Sequence, residues 1–576
     1  MSFFSDLPVE VLLDNLLPIM PISDVLRLTC TNKFFATLCS DDTFWKRRLE
    51  TDYNFSGAGT ARTSGWKFIY RGLFKPNVYV WGEKSCGRLG LSRFPKSTIR
   101  GGIPFPTRLQ IPNARIVALV ASGMSFHALD SAGRIHVWGT LDGSISALNS
   151  DGFSEPGKRA DTPISLEMPS PTRSISCGRL HASSLDSNGH IWTFPSWGRP
   201  FRLQSNIFAD NSKPIQIECG WGLSSVLTSS GDIYVWWPFS GRFGEHIERV
   251  KAEMDNQGDK RASVRPDGVI PCVTWILYEN PVLLPSIPSL PDILNEGSAD
   301  EKATQLIQIA GLDGHIIGLT NKGHVLKFGA LGSEEESARG RWQYLPEFSE
   351  TNKVEAAFAD LELNPPGAVK ITHVTANFLH FIAYSTGSPS VVLIGDVDTD
   401  HETKPKVIPS LQHKSIISVV LGDYHNVALT STGKVLTWGA YSAGALGLGD
   451  PGTLAPGTPG GFATEERRLV AQERGYGEPP AVDVPTEVRF DHGRKTSKDR
   501  FCFSVAAAGW HTGALVIDLE KSDEEDEEEI EYEPEDSPLP RRRIYPIDGP
   551  GQTPPIIPFP GIFRIGHPGR GRGFMG

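Results

Sequence analysis

Two half-repeats at opposite ends of this chain constrain its fold more than any other feature. The whole unit is clearest at Ile416–Gly449, IISVVLGDYHNVALTSTGKVLTWGAYSAGALGLG. It holds an apolar run, Gly422, His425, Leu429, a turn closed by Gly433, a second apolar run ending Trp438-Gly439, and a Gly-rich loop. Other copies carry Gly178, His181, Leu185, Gly189 and Trp192; Gly220, Leu227, Gly231 and Trp236; His315, Leu319, Gly323 and Phe328-Gly329; and His380, Tyr384 and Ile394-Gly395. A further copy has Gly123, Leu129, Gly133 and Trp138-Gly139, with its histidine shifted to His127. That makes six complete units. Val78-Tyr79-Val80-Trp81-Gly82 with Cys86-Gly87-Arg88-Leu89-Gly90-Leu91 is a second half without a first. Ala508-Gly509-Trp510-His511 through Leu515 is a first half without a second. Joined, they complete a seventh unit. An open array has no need of complementary ends, whereas a ring closed by them removes exposed sheet edges. The expected fold is therefore mainly β: a seven-bladed β-propeller over 76–518, closed by its own terminal half-blades. A small α-helical segment over 1–75 precedes it, and a disordered acidic, then Arg/Pro/Gly-rich tail over 519–576 follows.

The repeat positions Gly82, Gly139, Gly189, Gly231, Gly329, Gly433, Trp438, Gly439 and Gly509 are read as structural. A glycine closing each turn supplies a positive φ at little steric cost, and 59 glycines and 44 prolines suit an array of many tight turns. The recurrent His181, His315, His380, His425 and His511 invite a metal reading. Repetition by blade spreads them around a ring instead of gathering them, so hydrogen bonding within the blades is expected and no metal or cofactor. Insertions near 241–302, 332–370 and 450–500 stretch the spacing, and loops of that length are natural candidates for target contact.

The first fifty residues change period. Val9, Leu12, Leu13, Leu16 and Leu17 fall on one face of a helix. Pro18 and Pro21 end it, and Ser23 is the expected N-cap of a second helix carrying Val25, Leu26 and Leu28. Phe34, Phe35 and Leu38 mark a third. Phe44, Trp45 and Leu49 follow, then Trp66-Lys67-Phe68-Ile69-Tyr70. So small a helical segment buries too little surface to be comfortable alone, so it must pack on the next domain or meet a partner.

The net charge of −11 is concentrated in Glu520–Asp536, which holds twelve acids and one lysine; the rest of the chain is close to neutral. Nucleic-acid binding, which needs clustered Lys and Arg, is not expected. Seven scattered cysteines without a CxxC pair suit a reducing compartment. The N-terminus lacks the basic and apolar regions of a signal peptide, and no run of about 18 apolar residues exists. Cytoplasm or nucleus is the expected location, with no membrane partner. Gly152–Arg159 imitates a phosphate-binding loop but has Arg159 where Ser or Thr must follow the lysine. No HExxH, GxSxG or RING-like Cys/His array is present.

The helical segment resembles an F-box: Leu7-Pro8-Val9-Glu10-Val11-Leu12, Leu16, Pro21-Ile22-Ser23-Asp24-Val25-Leu26-Arg27-Leu28 and Asp41-Asp42-Thr43-Phe44-Trp45-Lys46 match that pattern in order and spacing. Phe34-Phe35 stands where many members carry Trp. The signature G-x-x-H-x-x-x-L-x-x-x-G-x-V-x-x-W-G, nearly intact at 422–439, is similar to the regulator of chromosome condensation repeat family, whose members are seven-bladed propellers. The pairing resembles the fungal SCF-associated factor type. These resemblances imply a non-catalytic substrate receptor of an SCF-type cullin ubiquitin ligase. Leu7, Pro8, Leu12, Leu16, Leu26 and Leu28 would be apolar anchors for a Skp-type adaptor linked to a cullin, with a target protein held on a propeller face. The same repeat family also implies a rival, exchange of guanine nucleotide on a small GTPase, and a plain scaffold is a third reading.

Overall fold

The computed structural model describes residues 7–98, 100–141, 152–208, 212–258, 261–293, 303–359, 361, 363–387, 390–492, 498–519 and 531–533. The expectation of a disordered tail falls, apart from Leu519 and Glu531–Glu533, outside the described residues.

Seven sheets surround a central channel. The innermost strand of each is Ile116–Ser122, Thr172–Cys177, Pro214–Cys219, Leu306–Leu312, His373–Asn377, Ile416–Leu421 or Arg500–Ala508. The first six begin blades 2 to 7. The last belongs to blade 1, ordered Gly102–Leu109, Asn77–Glu83, His511–Asp518, Arg500–Ala508. Val78 pairs with Leu515 and Gly82 with His511, so the two half-repeats form one sheet and the chain ends latch the ring.

The repeat signature has a physical basis in blade-to-blade contacts. His181 Nε2 shares a 2.7 Å hydrogen bond with Ser224 Oγ of blade 4, and His425 Nε2 a 2.9 Å bond with Thr512 Oγ1 of blade 1. His511 Nε2 donates to Ser125 O of blade 2 at 3.2 Å. Burial pushes His181 and His425 down to about 4, so both are neutral at pH 7. The Gly-rich loop of blade 7 lies on the indole of blade 1: Trp81 Nε1 donates to Ala445 O at 2.8 Å. A Cβ on Gly447, at φ +69°, would come 2.5 Å from that ring. Gly90 of blade 1 meets Trp138 of blade 2 in the same way, at 2.8 Å. These glycines exist because a neighbouring tryptophan occupies the space of a side chain.

The insertions differ from their expected role as target loops. In 241–302, the helix Gly241–Asn256 is followed by Val269–Pro271, parallel to Ala160–Glu167 of blade 2, and Trp275–Tyr278, parallel to Phe201–Gln204 of blade 3. Val282–Leu283 then completes blade 4. One insertion thus covers two sheet edges and finishes a third sheet. The insertion in 332–370 supplies blade 5's outer strand, Trp342–Tyr344, and the helix Thr351–Ala359, which buries Val354 and Phe358. That in 450–500 supplies blade 7's outer strand, Val482–Glu487. Much of the long spacing is sheet edge, where unpaired strands would otherwise be exposed.

Five helices precede the ring: α1 (Val9–Val11), α2 (Ile22–Thr29), α3 (Lys33–Leu38), α4 (Asp42–Tyr53) and α5 (Trp66–Gly72). Asn32 Oδ1 accepts from Phe35 N–H to start α3, and Asp41 Oδ1 from Phe44 N–H to start α4. Ser23 is not the cap expected for α2. That helix begins at Ile22 behind Pro21, with no side-chain cap, and Ser23 lies inside its first turn. The core of α1–α5 is continuous with that of blades 1 and 2. Phe55 meets Phe503, Phe68 meets Phe501, and Ile517 fills the space above Gly72.

Candidate functional site

Two surfaces stand out, at opposite ends of the channel. The first is the outer side of the helices. Leu12, Leu17 and Val25 point inward with Leu38, Phe44, Trp45 and Leu49, while Leu7, Val9, Val11, Ile19 and Leu26 remain exposed. Ile19 is 78% exposed and Leu26 46%. Of the six residues predicted as anchors, Leu7, Pro8 and Leu26 are exposed, and Leu16 and Leu28 are half-buried. Leu12, at 0% exposure, is a core residue and no surface anchor in this conformation. The cause is local. After α1 the chain makes a π turn, Leu12–Leu16, in which Leu17 N–H bonds Leu12 O, five residues back. The extra residue in the turn shifts the apolar face, so Leu12 and Leu17 are buried together and Val9 is turned out. Val9, Val11 and Ile19 were not among the expected anchors, which followed from the F-box resemblance and not from exposure.

Between α4 and α5, residues 54–61 cross one mouth of the channel as a strap. Asn54 Nδ2 donates to Thr172 O at 2.8 Å, at the start of blade 3's inner strand. Ala61 N–H donates to Ile417 O at 2.6 Å, at the start of blade 7's. Ser418 Oγ donates to Gly59 O and Arg62 Nη2 to Ser431 O. Below the strap the channel encloses about 620 Å³. On its wall Glu218 accepts from Gln216 Nε2 at 3.0 Å and Ser176 Oγ at 3.1 Å, and burial pushes its carboxyl up to about 7.

The second surface rings the opposite mouth. Two residues before the repeat histidine of blades 3, 6, 7 and 1, or before the Ser125 and Leu223 that replace it in blades 2 and 4, stand Gly123, Arg179, Trp221, Phe378, Asp423 and Gly509, which crowd together there. The Arg179 guanidinium lies over Trp221, 5.1 Å from the ring centre, and the Trp221 and Phe378 rings are 5.0 Å apart. Arg179 Nη1 is 3.6 Å from Asp423 Oδ2. Burial raises the Asp423 carboxyl above the usual range, and Arg179 and Arg88 partly offset this. Phe378 holds φ +52°, with its carbonyl accepting from Asp313 N–H at 2.9 Å. Tyr424 and Phe239 are exposed nearby in sequence to Asp423 and Trp236. This surface has the arginine-and-aromatic composition of interface hot spots. The sequence held its signal in the first of the two varying residues between the repeat's Gly and His, occupied by Arg179, Trp221 and Asp423. Among the described residues, no cluster of three or more His, Cys, Asp or Glu is placed to hold a metal ion.

Comparison with known proteins matches residues 416–442 to the family described as regulator of chromosome condensation (RCC1) repeat. SCF-associated factor 1 of Saccharomyces cerevisiae is 34% identical over 125 residues, covering 21% of this chain and only 16% of that protein. Protein pim1 of Schizosaccharomyces pombe is 23% identical over 413 residues, 65% of this chain and 68% of that one. Among solved structures, Prp20p of Saccharomyces cerevisiae aligns over 78% of this chain and 92% of its own, at 15% identity and TM-score 0.47. With the ring closed by its own ends, the chain is a seven-bladed propeller that carries N-terminal helices, and its repeat at 416–442 is similar to the RCC1 repeat.

Proposed function

We propose that this chain is the non-catalytic substrate receptor of an SCF-type cullin ubiquitin ligase, acting in the cytoplasm or nucleus. The observation that carries it is the set of exposed apolar side chains Leu7, Val9, Val11, Ile19 and Leu26 on the N-terminal helical segment, whose core is continuous with that of the propeller. An exposed apolar face on a rigidly held element marks a protein interface, and its sequence resembles an F-box, which docks a Skp-type adaptor. The similarity to SCF-associated factor 1 supports the same reading. The Arg179–Trp221 mouth, facing away from the helices, would hold the target. Its lysines are then presented to a conjugating enzyme brought by the cullin, a gain in effective concentration and not in bond chemistry.

Ile19→Asp with Leu26→Asp tests this. Both side chains are exposed, so the fold should keep its melting temperature. A charge at a docked apolar position costs several kcal/mol. The wild-type chain should recover adaptor and cullin in affinity purification and the double variant neither. Failure of the wild type to recover them overturns the proposal. The match to pim1, three times longer than that to SCF-associated factor 1, favours a second reading, nucleotide exchange on a small GTPase. Accelerated nucleotide release from such a GTPase by the purified chain would place that reading first.

A further inference from the structure

The acidic tail returns to the propeller. Lys96 N–H donates to Glu531 O at 2.7 Å and Glu533 N–H to Phe94 O at 2.9 Å, an antiparallel bridge centred on Pro95 and Tyr532. Three cations flank it. Lys84 Nζ is 2.6 Å from Glu533 Oε1, Lys96 Nζ is 2.9 Å from Glu531 Oε2, and the Arg93 guanidinium lies 4.9 Å from the Tyr532 ring centre. The two ion pairs are not equal. Lys96–Glu531 is exposed on both sides and contributes little. Lys84 is only 8% exposed, its ammonium also 5.1 Å from the Phe94 ring, and among the described residues its ion pair is with Glu533 alone. A covered ammonium needs a carboxylate, and Glu533 is the one it meets.

The bridge lies on the face of the Arg179 mouth. Lys84 follows the strand Asn77–Glu83, whose Gly82 pairs with His511 at that end of blade 1. The last strand, His511–Asp518, runs the other way and leaves the chain at the helical face. Eight residues of strand rise on the order of 25 Å, and the link from Leu519 to Glu531 spans at most about 40 Å. The link is therefore long enough to carry Glu531–Glu533 back across the height of the ring. Backbone pairing with an extended segment, its side chains held by flanking groups, is also how a domain captures an extended peptide from another protein.

We propose that the Phe94–Lys96 edge, with Lys84 and Arg93, is a docking site for an exposed acidic–tyrosine–acidic segment of a target protein, and that Glu531-Tyr532-Glu533 occupies it in cis as a competitor. The identity of that partner as a target rests on the receptor reading; the site itself does not. A tethered segment competes at an effective concentration on the order of 1 mM. A free peptide binding with Kd near 100 μM is therefore weakened about tenfold in the intact chain. The probe is a fluorescein-labelled peptide of residues 530–536, followed by polarisation with full-length protein. The variant E531A/Y532A/E533A should bind it about tenfold more tightly than wild type, and adding Lys84→Met or Arg93→Ala to that variant should weaken binding by at least as much. Equal binding by wild type and the triple variant, or no binding by a triple variant that melts like wild type, overturns the proposal. A second measurement needs no variant. In the wild type the Glu533 amide should be protected from hydrogen exchange, and excess unlabelled peptide should release it while Lys96 stays protected. A Glu533 amide exchanging at the free-peptide rate without competitor overturns the proposal too. Neither readout involves adaptor or cullin, so a negative adaptor purification and a negative peptide titration are separate results.

Discussion

The two mouths of the channel are built from the same seven strands and differ in what covers them. At the starts of the inner strands a strap and five helices are fixed by backbone hydrogen bonds and by aromatic contacts that exclude solvent. At their ends, arginine, tryptophan, phenylalanine and aspartate side chains meet with part of their surface open. One end is structure completed; the other keeps groups whose burial is unfinished. Large stability effects should come from the first end and large binding effects from the second.

Substitutions can break this contrast. Phe503, 2% exposed, packs on Phe55 of the strap. Phe503→Ala should destabilise the chain by about 3–5 kcal/mol in urea unfolding; a cost below about 1 kcal/mol would mean the helices are only tethered. Trp221→Ala, at the other mouth, should reduce target binding by about 2 kcal/mol or more, with stability changed far less. Equal losses in both measurements would make that mouth structural as well. Gly57, in the strap at φ +64°, has the Trp66 ring 2.9 Å from where a Cβ would stand. Gly57→Ala should cost about 2 kcal/mol from left-handed strain and the displaced indole. An unchanged unfolding midpoint would show that the strap does not hold its mouth.

The fold was legible because closure was written in complementary halves, Val78–Leu91 and Ala508–Leu515, and a period repeated seven times leaves few alternatives. The candidate site was legible only in part. Of the apolar anchors that the F-box resemblance implies, Leu7, Pro8 and Leu26 lie exposed, whereas Leu12 is buried beside Leu17 by a π turn that apolar spacing does not announce. The Arg179–Trp221–Asp423 mouth was passed over because its members lie in three different blades and occupy a repeat position that varies. The edge strands in the insertions were hidden for a different reason. Val269–Pro271 and Trp275–Tyr278 pair in parallel with blades a hundred and about seventy residues earlier, and short strands of that kind are defined by partners, not by local pattern.

Between the two mouths, Glu218 offers the smallest effect and the sharpest test of how closed the channel is. Its folded carboxyl is raised from 4.5 to about 7, chiefly by burial, with the hydrogen bonds from Gln216 and Ser176 opposing that rise. A raised acid binds its proton more tightly in the folded state than in the unfolded one. Stability therefore falls as pH rises from 4.5 to about 7 and is flat above. Glu218→Gln removes the ionisation and keeps most of the shape. At pH 5 wild type and variant should unfold within a few tenths of a kcal/mol of each other. At pH 8 the variant should be more stable by about 1 kcal/mol, the full linkage being reduced because the carboxylate is half-buried on the channel wall. Parallel stability curves from pH 5 to 8 would mean that Glu218 titrates as if in water, and that the strap leaves its mouth as open as the other.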